Sequence, residues 1–301
     1  MITVESVSKS FKNRPAVDDI SFAAHEKEIL VLLGTSGCGK TTTLKMINRL
    51  IESDSGRILI DGKNIKDHNV EQLRMGIGYV MQNSGLFPHY TVAENIAVVP
   101  KLQKWNSKQI KDRTEELIQK LHLSGDVLNR FPHELSGGQQ QRVGIARALI
   151  ANTPVLLMDE PFGALDNMTK SEIHNEFKTL DELKNKTIIL VTHDVSEAFE
   201  LGHRICLMDK GKIIQIGTPK EMIYRPANDF VKNFFANNRL TLEYQITKIS
   251  DLQLKNVSQK RFNEDQNIWN VLQDLSTNSG DAELYNKITA SFNEFRQKQL
   301  T

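Results

Sequence analysis

The stretch that decides the fold reads Gly34-Thr35-Ser36-Gly37-Cys38-Gly39-Lys40-Thr41. It fits the pattern GxxxxGK[ST], which forms a phosphate-binding loop when a strand precedes it and a helix follows it. A short apolar run, Glu28-Ile29-Leu30-Val31-Leu32-Leu33, comes directly before it, as in a buried strand of a parallel sheet. Residues 41–50 then place Leu44, Ile47 and Leu50 at helical spacing. The sequence therefore predicts an α/β fold with a phosphate loop.

The loop supplies its chemistry mainly through backbone. Glycines let successive N–H groups point at phosphate oxygens, and the following helix adds the partial positive charge of its N-terminus. Lys40 can reach the β- and γ-phosphates, the Thr41 hydroxyl can bind Mg²⁺, and Thr42 faces the α-phosphate side. The alternative, a glycine-rich structural turn, explains neither the Lys-Thr pair nor the flanking elements. The predicted ATP-binding residues in this stretch are Gly34, Ser36, Gly37, Cys38, Gly39, Lys40, Thr41 and Thr42.

Cys38 has two interpretations. A thiol beside a lysine and a helix N-terminus can favour the thiolate, whereas a small residue can simply be tolerated in the loop. We expect the second.

A second apolar strand ends in two acids, in the run Val155-Leu156-Leu157-Met158-Asp159-Glu160. Ligands bind at the carboxyl ends of parallel strands, so Asp159 is expected to hold Mg²⁺ and Glu160 to act as general base on the attacking water. Two neighbouring acids at a strand end are often only solvated charges. Downstream of a phosphate loop, the functional interpretation is favoured.

Composition limits the classes of protein. The chain has 301 residues, of which 25% are charged, and its 38 lysines and arginines nearly balance 37 aspartates and glutamates. This balance gives no reason to expect a nucleic acid partner. Two cysteines, Cys38 and Cys206, form no CxxC pattern, which favours a reducing compartment. We see no signal peptide and no run of about 18 apolar residues that could cross a membrane.

The remaining pattern alternates short strands and helices. The N-terminal stretch around Phe11 predicts antiparallel edge strands, and residues 55–62 and 187–191 predict further strands. Asp209-Lys210-Gly211 joins two strands as a hairpin, and residues 91–151 are mainly helical. The predicted fold class is α/β, with a mixed sheet core, an antiparallel edge sheet, a helical insertion and a small C-terminal tail module.

Leu135-Ser136-Gly137-Gly138-Gln139 resembles the signature motif of the ABC ATPase family. Ser136 is a good helix N-cap, and the helix it opens has an N-terminus suited to an anion. The resemblance implies a head-to-tail dimer of two copies, in which Ser136, Gly137, Gly138 and Gln139 of one copy close over ATP held by the other. By itself the motif could be an ordinary turn.

Other family elements follow in order. Gln82 resembles the glutamine that contacts Mg²⁺ and the attacking water, Ala164-Leu165-Asp166 the loop that crosses the dimer interface, and His193 the switch histidine on the γ-phosphate. Phe11 resembles the aromatic residue that stacks on adenine, with a core aromatic as the alternative. The resemblance implies an ATP- and Mg²⁺-dependent hydrolase, with a nucleotide-binding domain at residues 1–240, a helical subdomain at about 84–151 and a tail at 241–301.

Two stretches resemble subunits that drive importers. They are Pro161-Phe162-Gly163-Ala164-Leu165-Asp166 and the apolar segment from Gly85 to Ile96. A groove lined by Leu86, Phe87 and Tyr90 would suit a short helix of a membrane permease, although internal packing is the alternative. The resemblance implies integral-membrane permease partners, an extracytoplasmic substrate-binding protein reached indirectly, and a peripheral position on the cytoplasmic face of the cell membrane.

Residues 98–101 and 224–231 resemble subunits of the quaternary-ammonium osmoprotectant uptake family. That resemblance implies glycine betaine, carnitine, choline or a related betaine such as ergothioneine as the transported solute. The tail is too short for two cystathionine-β-synthase-type modules, so we expect a truncated module or, preferably, helical packing. Three alternatives stay open: import of another small solute, a non-transport ABC ATPase, and a regulatory nucleotide-binding module.

Overall fold

The computed structural model describes residues 1–163, 165–252, 254, 263–278 and 281–300. The chain forms two compact units. The first comprises Met1–Asp194 and Cys206–Ile213, and the second comprises Val195–Ile205 and Ile214–Thr301.

The strands of the described residues lie between Ile2 and Gly217. They are β1 (Ile2–Phe11), β2 (Arg14–Ala24), β3 (Ile29–Gly34), β4 (Ser55–Ile60), β5 (Lys63–Asn64), β6 (Ile77–Val80), β7 (Val155–Asp159), β8 (Thr187–Thr192), β9 (Arg204–Asp209) and β10 (Lys212–Gly217).

The α-helices of the described residues alternate with these strands, and after β10 only helices follow. They are α1 (Lys40–Ile47), α2 (Val70–Met75), α3 (Val92–Leu102), α4 (Ser107–Lys120), α5 (Gly137–Leu149), α6 (Asn167–Thr179), α7 (Val195–Leu201), α8 (Pro219–Tyr224), α9 (Asp229–Phe234), α10 (Arg239–Ile246), α11 (Ile268–Asn278) and α12 (Ala282–Leu300).

Two sheets organise these strands. One has the order β2-β1-β4-β5 and is antiparallel, and the other has the order β10-β9-β3-β8-β7-β6. In the second sheet β3, β8, β7 and β6 run parallel. Their core residues are apolar on both faces because helices cover both sides of a parallel sheet. The predicted α/β fold with an antiparallel edge sheet is confirmed.

The parallel register brings the carboxyl ends of three strands to one edge. Leu33 of β3 pairs with Thr192 of β8, and Asp159 of β7 pairs with Val191. The phosphate loop, the acidic pair and the histidine after β8 therefore leave the sheet side by side, which is where such sheets bind ligands.

The strand β6 was missed by sequence reasoning. It has only four residues, and Gly78 and Tyr79 interrupt its apolar pattern, yet it pairs in parallel with β7 from Ile77↔Val155 to Val80↔Met158. This strand matters for the site because Gln82 follows it by two positions.

The predicted helical insertion is observed, and its helices begin with side-chain caps. The Thr91 hydroxyl accepts from Glu94 N at α3, Asn106 caps α4, and Ser136 caps α5. In each, the third helical residue reaches back to the cap, which satisfies two backbone donors reciprocally. None of the described helices is both long enough and apolar enough to cross a membrane.

The second unit has its own apolar core between α11 and α12. The buried members are Ile249, Leu252, Ile268, Val271, Leu272, Leu275, Leu284, Ile288 and Phe292. Glu243 of α10 is fully buried and pairs with Arg239 and with Arg296 of α12. The domain boundary near residue 240 and the nature of the tail stay predictions.

Candidate functional site

A cavity of about 450 Å³ opens over the phosphate loop. Nine of the residues predicted from the sequence line it, together with one that was not. The lining residues are Ala16, Ser36, Gly37, Gly39, Lys40, Thr41, Thr42, Gln82, Glu160 and His193. Of the other predicted residues, Gly34, Cys38 and Asp159 are buried and are not part of the cavity wall.

Lys40 is 5% exposed, and carbonyl groups of the loop hold its ammonium. Its Nζ donates to Gly34 O at 2.8 Å and to Thr35 O at 3.0 Å. Carbonyl dipoles are weaker partners for a buried cation than an anion is. The loop thus holds a positive charge that a phosphate group would neutralise.

The Cys38 side chain is close to the same ammonium: its Sγ is 3.8 Å from Lys40 Nζ. Burial raises the pKa of this thiol, although the Lys40 charge acts in the opposite direction. The neutral thiol is therefore favoured, and the group packs as a small apolar side chain.

Gly39 shows why the loop needs glycine. Its φ is 105°, in the left-handed region, and an added Cβ would lie 2.5 Å from Ala16 O. The strand β2 therefore touches the loop through backbone at Ala16. A sequence pattern gives no signal for this contact, because it depends on the carbonyl of Ala16 and not on its side chain.

Thr41 and Asp159 meet at the predicted metal position. Thr41 Oγ1 donates to Asp159 Oδ1 at 2.8 Å, so two oxygen ligands of the kind that Mg²⁺ prefers lie together. Asp159 is 5% exposed, and burial raises the pKa of its carboxyl more than the Thr41 bond and the nearby lysines lower it.

Glu160 carries the contacts expected of a reacting group. Gln82 Nε2 donates to Glu160 Oε2 at 2.9 Å, and His193 Nδ1 lies 3.2 Å from the same oxygen. The backbone of Glu160 has a φ of 44°, and its N–H donates to Val191 O at 2.9 Å. A non-glycine residue in this conformation costs about 1–2 kcal/mol, so the fold pays to aim this carboxylate at Gln82 and His193.

Phe11 lies at the tip of the β1–β2 hairpin and is 47% exposed. The Lys9 ammonium is 5.6 Å from its ring centroid, and Lys9 Nζ also donates to Asp54 Oδ1 at 2.6 Å. The ring is not a core aromatic, and it is not among the described residues that line the cavity. Its predicted stacking on adenine stays a prediction.

The signature residues lie away from the cavity wall. Ser136 and Gly137 are exposed at the start of α5, where Ser136 Oγ accepts from Gln139 N at 3.2 Å. Gly138 is buried against α6, with Thr169 Cγ2 only 2.7 Å from where its Cβ would be.

Asp166 is exposed at the start of α6, and its carboxylate accepts hydrogen bonds from Thr169 N and Thr169 Oγ1. Of the predicted dimer loop, Ala164 lies outside the described residues.

A second, apolar cavity of about 300 Å³ lies next to the segment after Gln82. Its wall includes Met81, Gly85, Phe87, Val99 and Arg147. Of the residues predicted to line a groove, Phe87 is part of the wall of this cavity, whereas Leu86 and Tyr90 are not. The Phe87 and Tyr90 rings are 5.3 Å apart and both are exposed.

Two polar side chains that sequence reasoning missed support this segment. Asn95 is fully buried; it accepts from Phe87 N at 2.7 Å and donates to the carbonyls of Phe87, Tyr90 and Thr91. Arg147 donates to Ser84 O and Gly85 O, at 2.7 Å each. An asparagine or an arginine at an inward position of an amphipathic helix is the signal that could have found them.

The parallel sheet, the loop that follows β3 and the acidic end of β7 define a P-loop nucleotide-binding protein. A family model described as "ABC transporter" matches residues 17–163. The chain is 52% identical over 240 residues to the glycine betaine uptake system ATP-binding protein YehX of Escherichia coli (strain K12). The matched residues cover 80% of this chain and 78% of YehX. The chain belongs to the ABC transporter family of ATP-binding proteins.

Other relatives agree. The chain is 51% identical over 241 residues to the glycine betaine/carnitine/choline transport ATP-binding protein OpuCA of Bacillus subtilis (strain 168), and this covers 80% of the chain and 63% of OpuCA. It is also similar to a solved dimeric ATP-binding cassette bound to ADP and Pi in a post-hydrolysis state. That match has a TM-score of 0.66 and 33% identity, and covers 72% of this chain and 98% of the cassette. The predicted cassette fold is confirmed.

Proposed function

We propose that this chain hydrolyses ATP and that the reaction drives an ABC importer for quaternary-ammonium osmoprotectants. The observation that carries the proposal is the convergence of Gln82 and His193 on Glu160, at 2.9 and 3.2 Å, on the wall of the phosphate-loop cavity. An anion cradle with a carboxylate beside it is the arrangement that phosphoryl transfer to water needs.

The steps follow from the positions of the side chains. The phosphate loop and Lys40 bind the phosphates of ATP, with the ammonium exchanging carbonyl partners for phosphate oxygens. A water molecule lies against Glu160, whose carboxylate takes its proton as the water oxygen attacks the γ-phosphorus. The bond between the γ-phosphorus and the bridging oxygen breaks, and its electron pair leaves with ADP. Gln82 orients the carboxylate, and His193 contacts the γ-phosphate.

The residues present fit a magnesium ion. A hydroxyl and a buried carboxylate lie within hydrogen-bond distance, and burial disfavours the charge of Asp159 when no cation is near. Thr41, Asp159 and Gln82 would hold the ion. When bound, Mg²⁺ neutralises charge on the phosphates. The chain's own part is to fix the two oxygen ligands beside the loop.

A second copy of the chain completes the site in this proposal. Ser136 and Gly137 are exposed at a capped helix N-terminus, outside the described cavity wall. A helix N-terminus attracts anions, so the signature of one copy closes over ATP held by its partner, and Asp166 lies at the interface. The dimeric state of the solved cassette supports this arrangement.

A permease of the membrane is the second partner. The apolar cavity beside Phe87 would receive a short apolar helix, with the exposed Phe87 and Tyr90 rings as contacts. The chain would then lie on the cytoplasmic face of the membrane as a peripheral subunit. A substrate-binding protein would act indirectly, through the permease.

The substrate class rests on the relatives, whose names mention glycine betaine, carnitine and choline. The chain spans 63% of the length of OpuCA and of the choline transport ATP-binding protein OpuBA of Bacillus subtilis (strain 168). Related betaines such as ergothioneine belong to the same proposal. Import of another small solute is the alternative.

The test is uptake of labelled glycine betaine, choline, carnitine and ergothioneine by cells that lack the gene and carry either the native copy or Glu160→Gln. We expect one or more of these compounds to enter with the native copy, and uptake to fall to background with Glu160→Gln. The variant should still bind ATP, while its ATP hydrolysis falls on the order of 100- to 10,000-fold.

Two outcomes contradict the proposal at different levels. Undiminished hydrolysis by Glu160→Gln removes Glu160 from the role of base. Full hydrolysis by the native chain with no uptake of any of the four compounds removes the substrate class and leaves the ATPase intact. Co-purification with ribosomes or DNA instead of membranes would favour a non-transport ABC ATPase.

A further inference from the structure

The segment after Gln82 turns sharply before it reaches the exposed aromatic residues. Ser84 and Gly85 both have left-handed backbone, with φ values of 53° and 56°, and Ser84 N donates to Met81 O at 3.2 Å. Ser84 is 6% exposed. Serine is uncommon in this conformation, so contacts from outside the turn must stabilise it.

Those contacts come from α5, which packs against the turn. At Gly144 an added Cβ would lie 3.4 Å from Ser84 O and 3.6 Å from Ser84 Cα, so the helix approaches the turn closely. One turn further along α5, the guanidinium of Arg147 donates through one nitrogen to Gly85 O and through another to Ser84 O, at 2.7 Å each. A planar fork of this kind fixes two neighbouring carbonyl groups in position and direction.

The hydrogen bonds of the Arg147 guanidinium within the described part of the chain go to the Ser84–Gly85 turn. Arg147 is partly buried, burial lowers its pKa, and no carboxylate pairs with it among the residues that the structure describes. A buried arginine without a carboxylate is costly. The two carbonyl groups are its main compensation, and they belong to the turn.

The turn joins two parts of the proposed machinery. Two residues before Ser84, Gln82 donates to Glu160 Oε2 at 2.9 Å. Two residues after Gly85, Phe87 lines the apolar cavity. The helix that holds the turn begins at the signature residue Gly137, about 15 Å from Arg147 along the helix axis.

We infer that Arg147 is a positioning residue for ATP hydrolysis: by clamping the Ser84–Gly85 turn to α5, it holds Gln82 in hydrogen-bond contact with Glu160. This inference rests on the proposed function. Arg147 touches no reacting atom and acts through Gln82.

The test compares three variants of the full chain. Arg147→Met keeps the length of the side chain and removes both donors, and Arg147→Lys keeps the charge without the fork. Arg49→Met is the matched control, because Arg49 also donates to two backbone carbonyls, those of Ile65 and His68, in another loop of the same unit. The readouts are kcat and KM for ATP hydrolysis and amide hydrogen exchange over residues 82–90.

We expect Arg147→Met to lower kcat by about ten- to a hundredfold, the loss typical of a displaced catalytic contact, with KM changed less than about twofold. Arg147→Lys should lie between the native chain and Arg147→Met. Exchange over residues 82–90 should be faster in Arg147→Met and unchanged in Arg49→Met. In a Gln82→Ala background, Arg147→Met should lower kcat by no more than about twofold, because both changes act on the same contact, the hydrogen bond from Gln82 to Glu160.

Three results would overturn the inference while the native chain hydrolyses ATP. They are equal kcat values for Arg147→Met and Arg49→Met, unchanged exchange over residues 82–90, or independent effects of Arg147→Met and Gln82→Ala. A native chain that does not hydrolyse ATP would instead overturn the proposed function, and this inference with it.

Discussion

The Thr41 hydroxyl donates a hydrogen bond to Asp159 Oδ1 at 2.8 Å, although 118 positions separate these residues in the sequence. Asp159 is 5% exposed, and the protein gives its carboxylate one hydroxyl as a close partner. Burial is the largest influence on this carboxyl and raises its pKa. The ligand-free chain therefore bears a cost at this position, which is what a binding site for a cation requires.

Asp159→Asn should stabilise the ligand-free chain while removing its response to Mg²⁺ and ATP. A neutral amide of the same size bears less desolvation cost, so we expect Tm to rise by about 1–3 °C. Because the pKa of Asp159 is raised in the folded state, the carboxyl is neutral in native protein at low pH, and the difference in Tm should shrink as pH falls.

Thermal unfolding with and without Mg²⁺-ATP checks this prediction. Asp67→Asn, at an exposed position, serves as control and should leave Tm unchanged. A lower Tm for ligand-free Asp159→Asn would mean that Asp159 is a structural residue.

Gly138→Ala should destabilise the chain, although alanine is normally the better helix former. The new methyl group would lie 2.7 Å from Thr169 Cγ2, so either the Thr169 side chain must rotate and lose its hydrogen bond to Asp166, or α5 and α6 must move apart, at a cost of about 1–3 kcal/mol in the free energy of unfolding. Gly137→Ala is the matched control: nothing lies within 4 Å of its Cβ, and we expect it to stabilise by about 0.5–1 kcal/mol.

A compensating change sharpens the test. Thr169→Ser removes the clashing methyl and keeps the hydroxyl that donates to Asp166, so it should restore most of the stability lost in Gly138→Ala. Urea denaturation of the four proteins measures these differences. Equal stability of Gly138→Ala and Gly137→Ala would show that the two helices are not in close contact.

Asn95→Leu should lower the free energy of unfolding by about 2–4 kcal/mol, because it removes the side-chain acceptor of Phe87 N and the side-chain donor to the carbonyl groups of Phe87, Tyr90 and Thr91. Protease cleavage near Phe87 should also become faster. Asn106→Ala, which removes an exposed helix cap, is expected to cost about 1 kcal/mol without that effect. Similar losses for both variants, with unchanged cleavage near Phe87, would mean that Asn95 does not order the segment.

Lys186 should make stability depend on pH above neutrality. It is 3% exposed, and burial lowers its pKa to about 8. Since the unfolded chain binds this proton more tightly, stability should increase as pH rises from about 8 towards 10.5, relative to Lys186→Met.

Urea denaturation of both proteins at several pH values measures the difference. Between these pH values, we expect the free energy of unfolding of the native chain to increase by about 1–3 kcal/mol more than that of Lys186→Met. A difference that does not change with pH would show that Lys186 keeps an ordinary pKa. Lys184→Met, at an exposed position, is the control.

The sequence by itself determined the fold class and most of the cavity wall. The phosphate loop lies within one continuous stretch, and its neighbours β3 and α1 have their own local sequence patterns, so this part of the fold depends on no distant contact for its prediction. The acidic end of β7 and the histidine after β8 were also predicted, because the carboxyl ends of parallel strands share one edge of a sheet.

Only the tertiary structure decided which backbone groups meet. The carbonyl of Ala16 approaches Gly39 of the phosphate loop, and β6 depends on pairing with β7. Arg147 holds Ser84 and Gly85 from a helix 63 and 62 positions away. These contacts all involve backbone groups, which every residue carries, so the sequence does not show which backbone groups are contacted. Local motifs specify the chemistry of this protein, whereas the packing of α5 on the turn after Gln82 decides how that chemistry is held in place.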